Sequence, residues 1–235
     1  MDKDFLEEFS GKDRYTYADL LTLMEILRSP QGCPWDRAQT HHSIRPELLE
    51  EAYEVAEAID TEDPGLLREE LGDLLLQVVF HARISEEEGM FSMEQVVDEL
   101  CHKLVYRHPH VFAGEKPCPD LTRWEQLKRQ EKGRDTLQKN LDSIPITFPA
   151  VLRAQKILSR MEKSGVPAPK TDALPPEWAQ ALAAMSPEER EAYAGQKLFA
   201  MVALARSAGV NSEEALTREN KRVQAELLKN GKFPE

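Results

Sequence analysis

Two pairs of carboxylates on either side of a helix break constrain this chain more than any other feature. They are Glu51 with Glu54 and Glu70 with Asp73, and the members of each pair stand three residues apart. Residues three apart lie on one face of a helix, so each pair can direct two carboxylates at a common target. The break between them, at residues 60–65, ends in an Asp-Pro-Gly sequence of the kind that starts a helix. The sequence therefore predicts an antiparallel helical hairpin whose acidic pairs face each other.

The helix that carries the second pair is predicted to be buried. It continues as LLLQVVF over residues 74–80, which is apolar on nearly every face. Acidic side chains are rarely buried without a partner, because the loss of hydration costs several kcal/mol per ion. A cation bound by the four carboxylates explains this pattern, and an all-oxygen ligand set favours Mg²⁺. For the first pair alone, a solvated acidic face is an alternative interpretation.

The composition of the chain limits the classes of function. Of its 235 residues 41% are hydrophobic and 31% are charged, with a net charge of −12. This acidic balance argues against a general nucleic-acid binder and against a protein that binds anionic membranes. The N-terminal residues lack the apolar stretch of a signal peptide, and no run reaches membrane-spanning length. Because the three cysteines form no CxxC pair, we expect neither disulfides nor a cysteine zinc site. We therefore expect a cytoplasmic protein.

Two further helices place cations and an aromatic side chain at helical spacing. Lys103 and Arg107 are four residues apart on one predicted helix, and Trp124 and Lys128 are four apart on the next. Taken singly, the cations are more typical of a solvated face and Trp124 of a core contact. Together, in an acidic protein, they indicate a pocket for phosphate and base. No period-two strand pattern persists anywhere, so we predict an all-α fold.

The second half of the chain contains a weak copy of the carboxylate helix. Residues 195–206 resemble residues 72–83, with the first glycine and the final Ala-Arg at the same offset of 123 residues (195 − 72). Gln196 takes the place of Asp73, and a tyrosine takes the place of Glu70. The pattern predicts a tandem duplication whose second copy has lost its acidic site.

The motifs of this chain extend over five segments, GCPWD (32–36), LLEEAYEV (48–55), ELGDLLLQVVFHA (70–82), RHPHVF (107–112) and RWEQLK (123–128). Taken together, these segments resemble the MazG branch of the all-α nucleoside triphosphate pyrophosphohydrolases. The resemblance is strong over about residues 17–131 and weak beyond them. The predicted organisation is a catalytic helical domain over residues 1–134, a linker over 135–149 and a degenerate helical domain over 150–235.

The resemblance implies a helical bundle, usually paired as a homodimer, that binds a nucleoside triphosphate with Mg²⁺. Such proteins cleave between the α- and β-phosphates, give the monophosphate and pyrophosphate, and serve nucleotide-pool housekeeping. An alternative interpretation, favoured by the degenerate second copy, is a nucleotide-binding or helical dimerisation module without turnover. By matching motifs, the metal-binding and catalytic residues would be Glu51, Glu54, Glu70 and Asp73, and the substrate-binding residues would be Lys103, Arg107, Trp124 and Lys128.

Overall fold

Helices are the regular elements of this chain in its computed structural model. The structure describes residues 3–114, 122–131, 133, 136–166 and 175–230, and within them every regular element is helical, which confirms the all-α prediction. No helix in those ranges is both long and apolar enough to cross a membrane. In chain order the helices are α1 (Lys3–Ser10), α2 (Tyr17–Arg28), α3 (Pro34–Ala38), α4 (Arg45–Asp60), α5 (Pro64–Glu87), α6 (Met93–Arg107), α7 (Pro109–Phe112), α8 (Thr122–Glu131), α9 (Leu137–Asp142), α10 (Ala150–Glu162), α11 (Pro176–Ala184), α12 (Pro187–Ser207) and α13 (Ser212–Asn230).

The chain divides into two compact units, Met1–Pro117 and Cys118–Glu235. This division places α8 in the second unit. The sequence-based domain boundaries, 1–134 and 150–235, stay a prediction. The stretch predicted as a linker between them contains α9, whose Leu141 is fully buried in the second unit.

The centre of the first unit is the hairpin of α4 and α5. In the turn, Glu62 adopts a left-handed conformation with φ 56°. The Asp63 side chain accepts hydrogen bonds from the backbone N–H groups of Gly65 at 2.8 Å and Leu66 at 3.2 Å. With Pro64 at the first helical position, these bonds fix where α5 begins. The helix break predicted from the sequence is therefore present, and α4 and α5 pack against each other.

Helix α5 is buried only in its C-terminal half, so the expectation that it is buried throughout was wrong. Val79 and Phe80 are 2% and 5% exposed and pack with Met24 of α2. Leu71 and Leu75, near the acidic pair, are instead 49% and 38% exposed. The reason is geometric. The α2 residues of this core cluster pack against α5 beyond its acidic pair, so that part of α5 is the covered one.

The second unit has a core of its own, formed by α9, α10 and α13. Leu141, Ile157, Met161 and Leu227 are each at most 2% exposed and pack together. Helix α12, the predicted copy of α5, begins at a capping box on Ser186. It contributes no buried residue. The copy has therefore kept its helix but not the packing that covers the C-terminal half of α5.

Candidate active site

Three carboxylates converge where α4 meets α5. Glu51, Glu70 and Asp73 each have one carboxylate oxygen that lies within 4.8 Å of the corresponding oxygens of the other two residues. Glu54 lies three residues after Glu51 on α4, and its charge acts on both Glu51 and Glu70. Asp73 is exposed and the other three are partly buried. The hairpin thus brings together the two acidic pairs that were predicted to face each other, and we call these four residues the carboxylate cluster.

The carboxylate cluster is electrostatically unfavourable without a cation. Desolvation, and after it the adjacent Glu54 carboxyl group and the negative charges of Asp73 and Glu70, raise the pKa of Glu51 above its usual value. Desolvation, followed by the charge of Glu54, raises the pKa of Glu70 in the same way. Within the described ranges, no lysine or arginine forms an ion pair with any of these carboxylates. A bound cation would offset the cost of desolvation and remove the repulsion between these carboxylates.

The donor set of the cluster fits a hard divalent cation. All of its ligand atoms are carboxylate oxygens, which Mg²⁺ prefers, and the exposure of Asp73 leaves room for water or phosphate oxygens to complete a coordination shell. Burial does not by itself require a cation here, since the acidic half of α5 is open. The convergence of the oxygens and the raised pKa values now carry the case for a metal site.

The residues predicted to bind substrate lie in both units. Lys103 and Arg107 are partly buried on α6, which packs against α5 in the first unit. Trp124 and Lys128 lie on α8 in the second unit, where Lys128 Nζ is 4.8 Å from the centre of the Trp124 ring. This contact agrees with the spacing of four residues noted in the sequence. The contacts of all four side chains with a substrate stay a prediction.

The described residues of the second unit show no counterpart of the carboxylate cluster. No three acidic, histidine or cysteine side chains converge among them. Tyr193, at the position that matches Glu70, instead lies 4.9 Å from Lys197 Nζ, and the same ammonium is 4.8 Å from the Trp178 ring. These cation–π contacts take the place of acidic chemistry on α12. They agree with the prediction that the second copy has lost its acidic site.

A histidine pair beside the hairpin was missed by the sequence analysis. The Nδ1 atoms of His41 and His81 lie 2.7 Å apart, and the rings stack with centroids 5.0 Å apart. Desolvation, and then the charge of His41, lower the pKa of His81 below its ordinary value of 6.5. The residues are 40 positions apart, and no spacing rule connects histidines at that distance. Only the folded structure reveals the pair.

Comparisons with known proteins agree on one family. The model of the MazG nucleotide pyrophosphohydrolase domain matches residues 39–112, which include the whole carboxylate cluster. The nucleoside triphosphate pyrophosphohydrolase/pyrophosphatase MazG of Thermotoga maritima is 40% identical over 210 residues, covering 88% of this chain and 82% of the relative. A nucleoside triphosphate pyrophosphohydrolase of Escherichia coli K12 is 42% identical over 218 residues, covering 87% and 83%. Another, from Mycolicibacterium smegmatis, is 45% identical over 154 residues, covering 64% of this chain and 47% of the relative.

Proposed function

Because this chain belongs to the MazG family, we propose that it is an enzyme that hydrolyses nucleoside triphosphates, with ribose or deoxyribose, to the monophosphate and pyrophosphate. The observation that carries the proposal is the convergence of Glu51, Glu70 and Asp73 within 4.8 Å on the α4–α5 hairpin. The relatives from Thermotoga maritima and Escherichia coli bear this activity in their names. The reaction is assigned to the first unit, since the described part of the second contains no such cluster.

We further propose that the carboxylate cluster holds Mg²⁺ through Glu51, Glu54, Glu70 and Asp73. Bound there, the ion would neutralise triphosphate charge and lower the pKa of a coordinated water. The protein's part is to hold four oxygen ligands on two packed helices, so that little reorganisation is needed when substrate arrives. The partial burial of Glu51, Glu54 and Glu70 strengthens each charge interaction relative to bulk water.

The remaining residues have separate tasks in the proposed reaction. Glu54 is partly buried and lies outside the group of three convergent oxygens, so it is the carboxylate that could accept the proton of the attacking water as general base. Lys103 and Arg107 would bind phosphate oxygens and stabilise the charge that develops on the departing pyrophosphate. Trp124 and Lys128 keep the roles that the family resemblance implies, contact with the nucleotide and with its phosphates.

Product analysis tests this function directly. The purified protein is mixed with each ribo- and deoxyribonucleoside triphosphate, with Mg²⁺ or with EDTA, and the phosphate products are identified. We expect monophosphate and pyrophosphate with Mg²⁺ only, loss of turnover in Glu70→Gln, and retention in Glu69→Gln, whose exposed side chain is outside the convergent group. Diphosphate with orthophosphate would contradict the reaction. No turnover of any nucleotide would favour the alternative, a nucleotide-binding or dimerisation module.

We also propose that the chain forms a homodimer through α5 and α6. Leu71 and Leu75 on α5 are 49% and 38% exposed, and Leu100 and Leu104 on α6 are 50% and 46% exposed. Exposed apolar side chains on neighbouring helices favour association. Light scattering coupled to size exclusion should give a dimer mass, and Leu100→Glu should give a monomer. The control is Ile146→Glu, an exposed apolar residue outside any helix, and its substitution should leave the mass unchanged.

A further inference from the structure

Arg28 connects three parts of the first unit through one buried side chain. It is the last residue of α2, and its side chain is 6% exposed. Its Nη1 donates to the backbone carbonyl oxygens of Asp36 and Gln39, the latter at 3.3 Å. Its Nε and Nη2 donate to the Glu87 carboxylate at 2.8–3.2 Å, and its guanidinium lies 5.3 Å from the Phe80 ring centre. One side chain therefore fastens the segment between α2 and α4, residues 29–44, to both α2 and α5.

The same segment is restrained where it leaves α2. The Cys33 N–H donates to the Leu27 carbonyl at 2.8 Å. A Cβ added to Gly32 would lie 2.2 Å from the Ile26 carbonyl oxygen, closer than any real side chain could approach. The backbone is therefore folded tightly onto the end of α2, and the carbonyl groups that accept from Arg28 have little freedom to move.

Two contacts extend the restraint to the start of α4. His41 is hydrogen-bonded to His81 of α5 through Nδ1 atoms 2.7 Å apart. Ile44, the residue before α4, is 3% exposed and packs against α5 in the core. Glu51 follows seven residues later, about 10 Å along the helix at 1.5 Å per residue. Each of these contacts ends on α5, the helix that also carries the second acidic pair.

We propose that Arg28 is a positioning residue for the carboxylate cluster, because it fixes where α4 begins relative to α5 and thereby sets the separation of Glu51 from Glu70 and Asp73. Metal ligands must be placed within a few tenths of an ångström. A slip of one residue along α4 would displace Glu51 by about 1.5 Å and rotate it by about 100°. The inference rests on the proposed function, since it takes the cluster to be a metal site.

Metal binding without nucleotide provides the test. Mn²⁺, used as a probe for Mg²⁺, is titrated into the nucleotide-free full chain and followed by electron paramagnetic resonance. We expect Arg28→Ala to weaken Mn²⁺ binding by roughly tenfold, at the low end of the losses caused by removing a residue that orients metal ligands. Arg83→Ala is the matched control, because Arg83 also donates to Glu87, at 3.0 Å, but to no carbonyl group of the segment. Its affinity should stay within about twofold of the wild-type value, as expected for a partly exposed ion pair.

Two further measurements separate positioning from folding. Arg28→Lys can still pair with Glu87, but one ammonium cannot span two carbonyl groups and a carboxylate together, so its Mn²⁺ affinity should also fall. Guanidinium ion added to Arg28→Ala should restore part of the affinity. At saturating Mg²⁺ the kcat of Arg28→Ala should return to near the wild-type value, since Arg28 does not touch the reacting atoms. Circular dichroism at the assay temperature establishes whether each variant is folded. If Arg28→Ala is unfolded, the Mn²⁺ affinity of Arg28→Lys decides the test.

The outcomes distinguish this inference from the function on which it rests. A wild-type protein that binds no Mn²⁺ would overturn the metal site and this inference together. Wild-type protein that binds Mn²⁺, with a folded Arg28→Ala or Arg28→Lys that binds it equally well, would overturn only the positioning role. A loss of kcat that saturating metal does not restore would also overturn it.

Discussion

Neutralising Glu51 should stabilise the metal-free protein while weakening its response to metal. Glu51, Glu70 and Asp73 have carboxylate oxygens within 4.8 Å of one another. Two unit charges at that separation repel by roughly 0.9 kcal/mol in the dielectric of water, so Glu51→Gln, which relieves two such repulsions, should gain about 1–2 kcal/mol. The dielectric of water gives a lower limit here, because Asp73 is exposed and Glu51 and Glu70 are only partly buried.

The raised pKa of Glu51 also predicts that Glu51→Gln stabilises the folded protein at pH 7. The folded state holds the Glu51 proton more tightly than the unfolded chain, whose ordinary value is 4.5. The stabilisation from this group is therefore present below pH 4.5 and is lost as the pH rises above it. At pH 7 the charged carboxylate opposes folding, and its neutral amide analogue does not.

Thermal unfolding at pH 7 measures both effects. In EDTA, Glu51→Gln should raise the unfolding midpoint by roughly 2–8 °C, as expected for this free energy in a chain of this size. Glu50→Gln, an exposed neighbour outside the cluster, should not change it. Added Mg²⁺ should then raise the midpoint of the wild type more than that of Glu51→Gln. A lower midpoint in EDTA, or an undiminished response to Mg²⁺, would refute the reasoning.

Further predictions concern the turns and helices around the site. Glu62→Gly should raise the free energy of unfolding in urea by about 0.5 kcal/mol, because φ 56° strains a residue with a Cβ; a decrease would contradict this. Gly32→Ala should lower the free energy of unfolding by more than about 2 kcal/mol, since its Cβ would lie 2.2 Å from the Ile26 carbonyl oxygen. Gly72→Ala has open space around its Cβ, so it should instead stabilise α5 by up to about 1 kcal/mol. The pKa of His81 is lowered from 6.5, so the unfolded chain binds the His81 proton more tightly than the folded chain does. The free energy of unfolding should therefore be highest above pH 6.5 and decrease as the pH falls below 6.5. His81→Gln should remove that part of the pH dependence.

Local rules predicted most of the hairpin correctly. The Asp63 cap at the start of α5 depends only on residues within one helical turn. Such contacts are encoded in short stretches of sequence and need no tertiary information. The convergence of the two acidic pairs was predictable for the same reason, since it needs only helical periodicity and a short turn.

Contacts between distant residues were not predictable in this way. The apolar run after Asp73 indicated a buried helix, yet burial depends on how many other helices reach it, which periodicity does not specify. Arg28 resembles an ordinary basic residue in the last turn of a helix, where it would favour the helix dipole. Its bond to Glu87, 59 positions away, depends on packing that only the folded chain defines.

The short turn between α4 and α5 also affects how the protein is made. The carboxylate cluster lies between residues 51 and 73, on two helices separated by three residues. Closing so short a loop costs little chain entropy, and helical hairpins form quickly because their contacts are local. During synthesis this hairpin can therefore form while the second unit is still untranslated. A cation bound at that stage would hold the nascent hairpin closed, so the cluster can guide the order in which the first unit assembles.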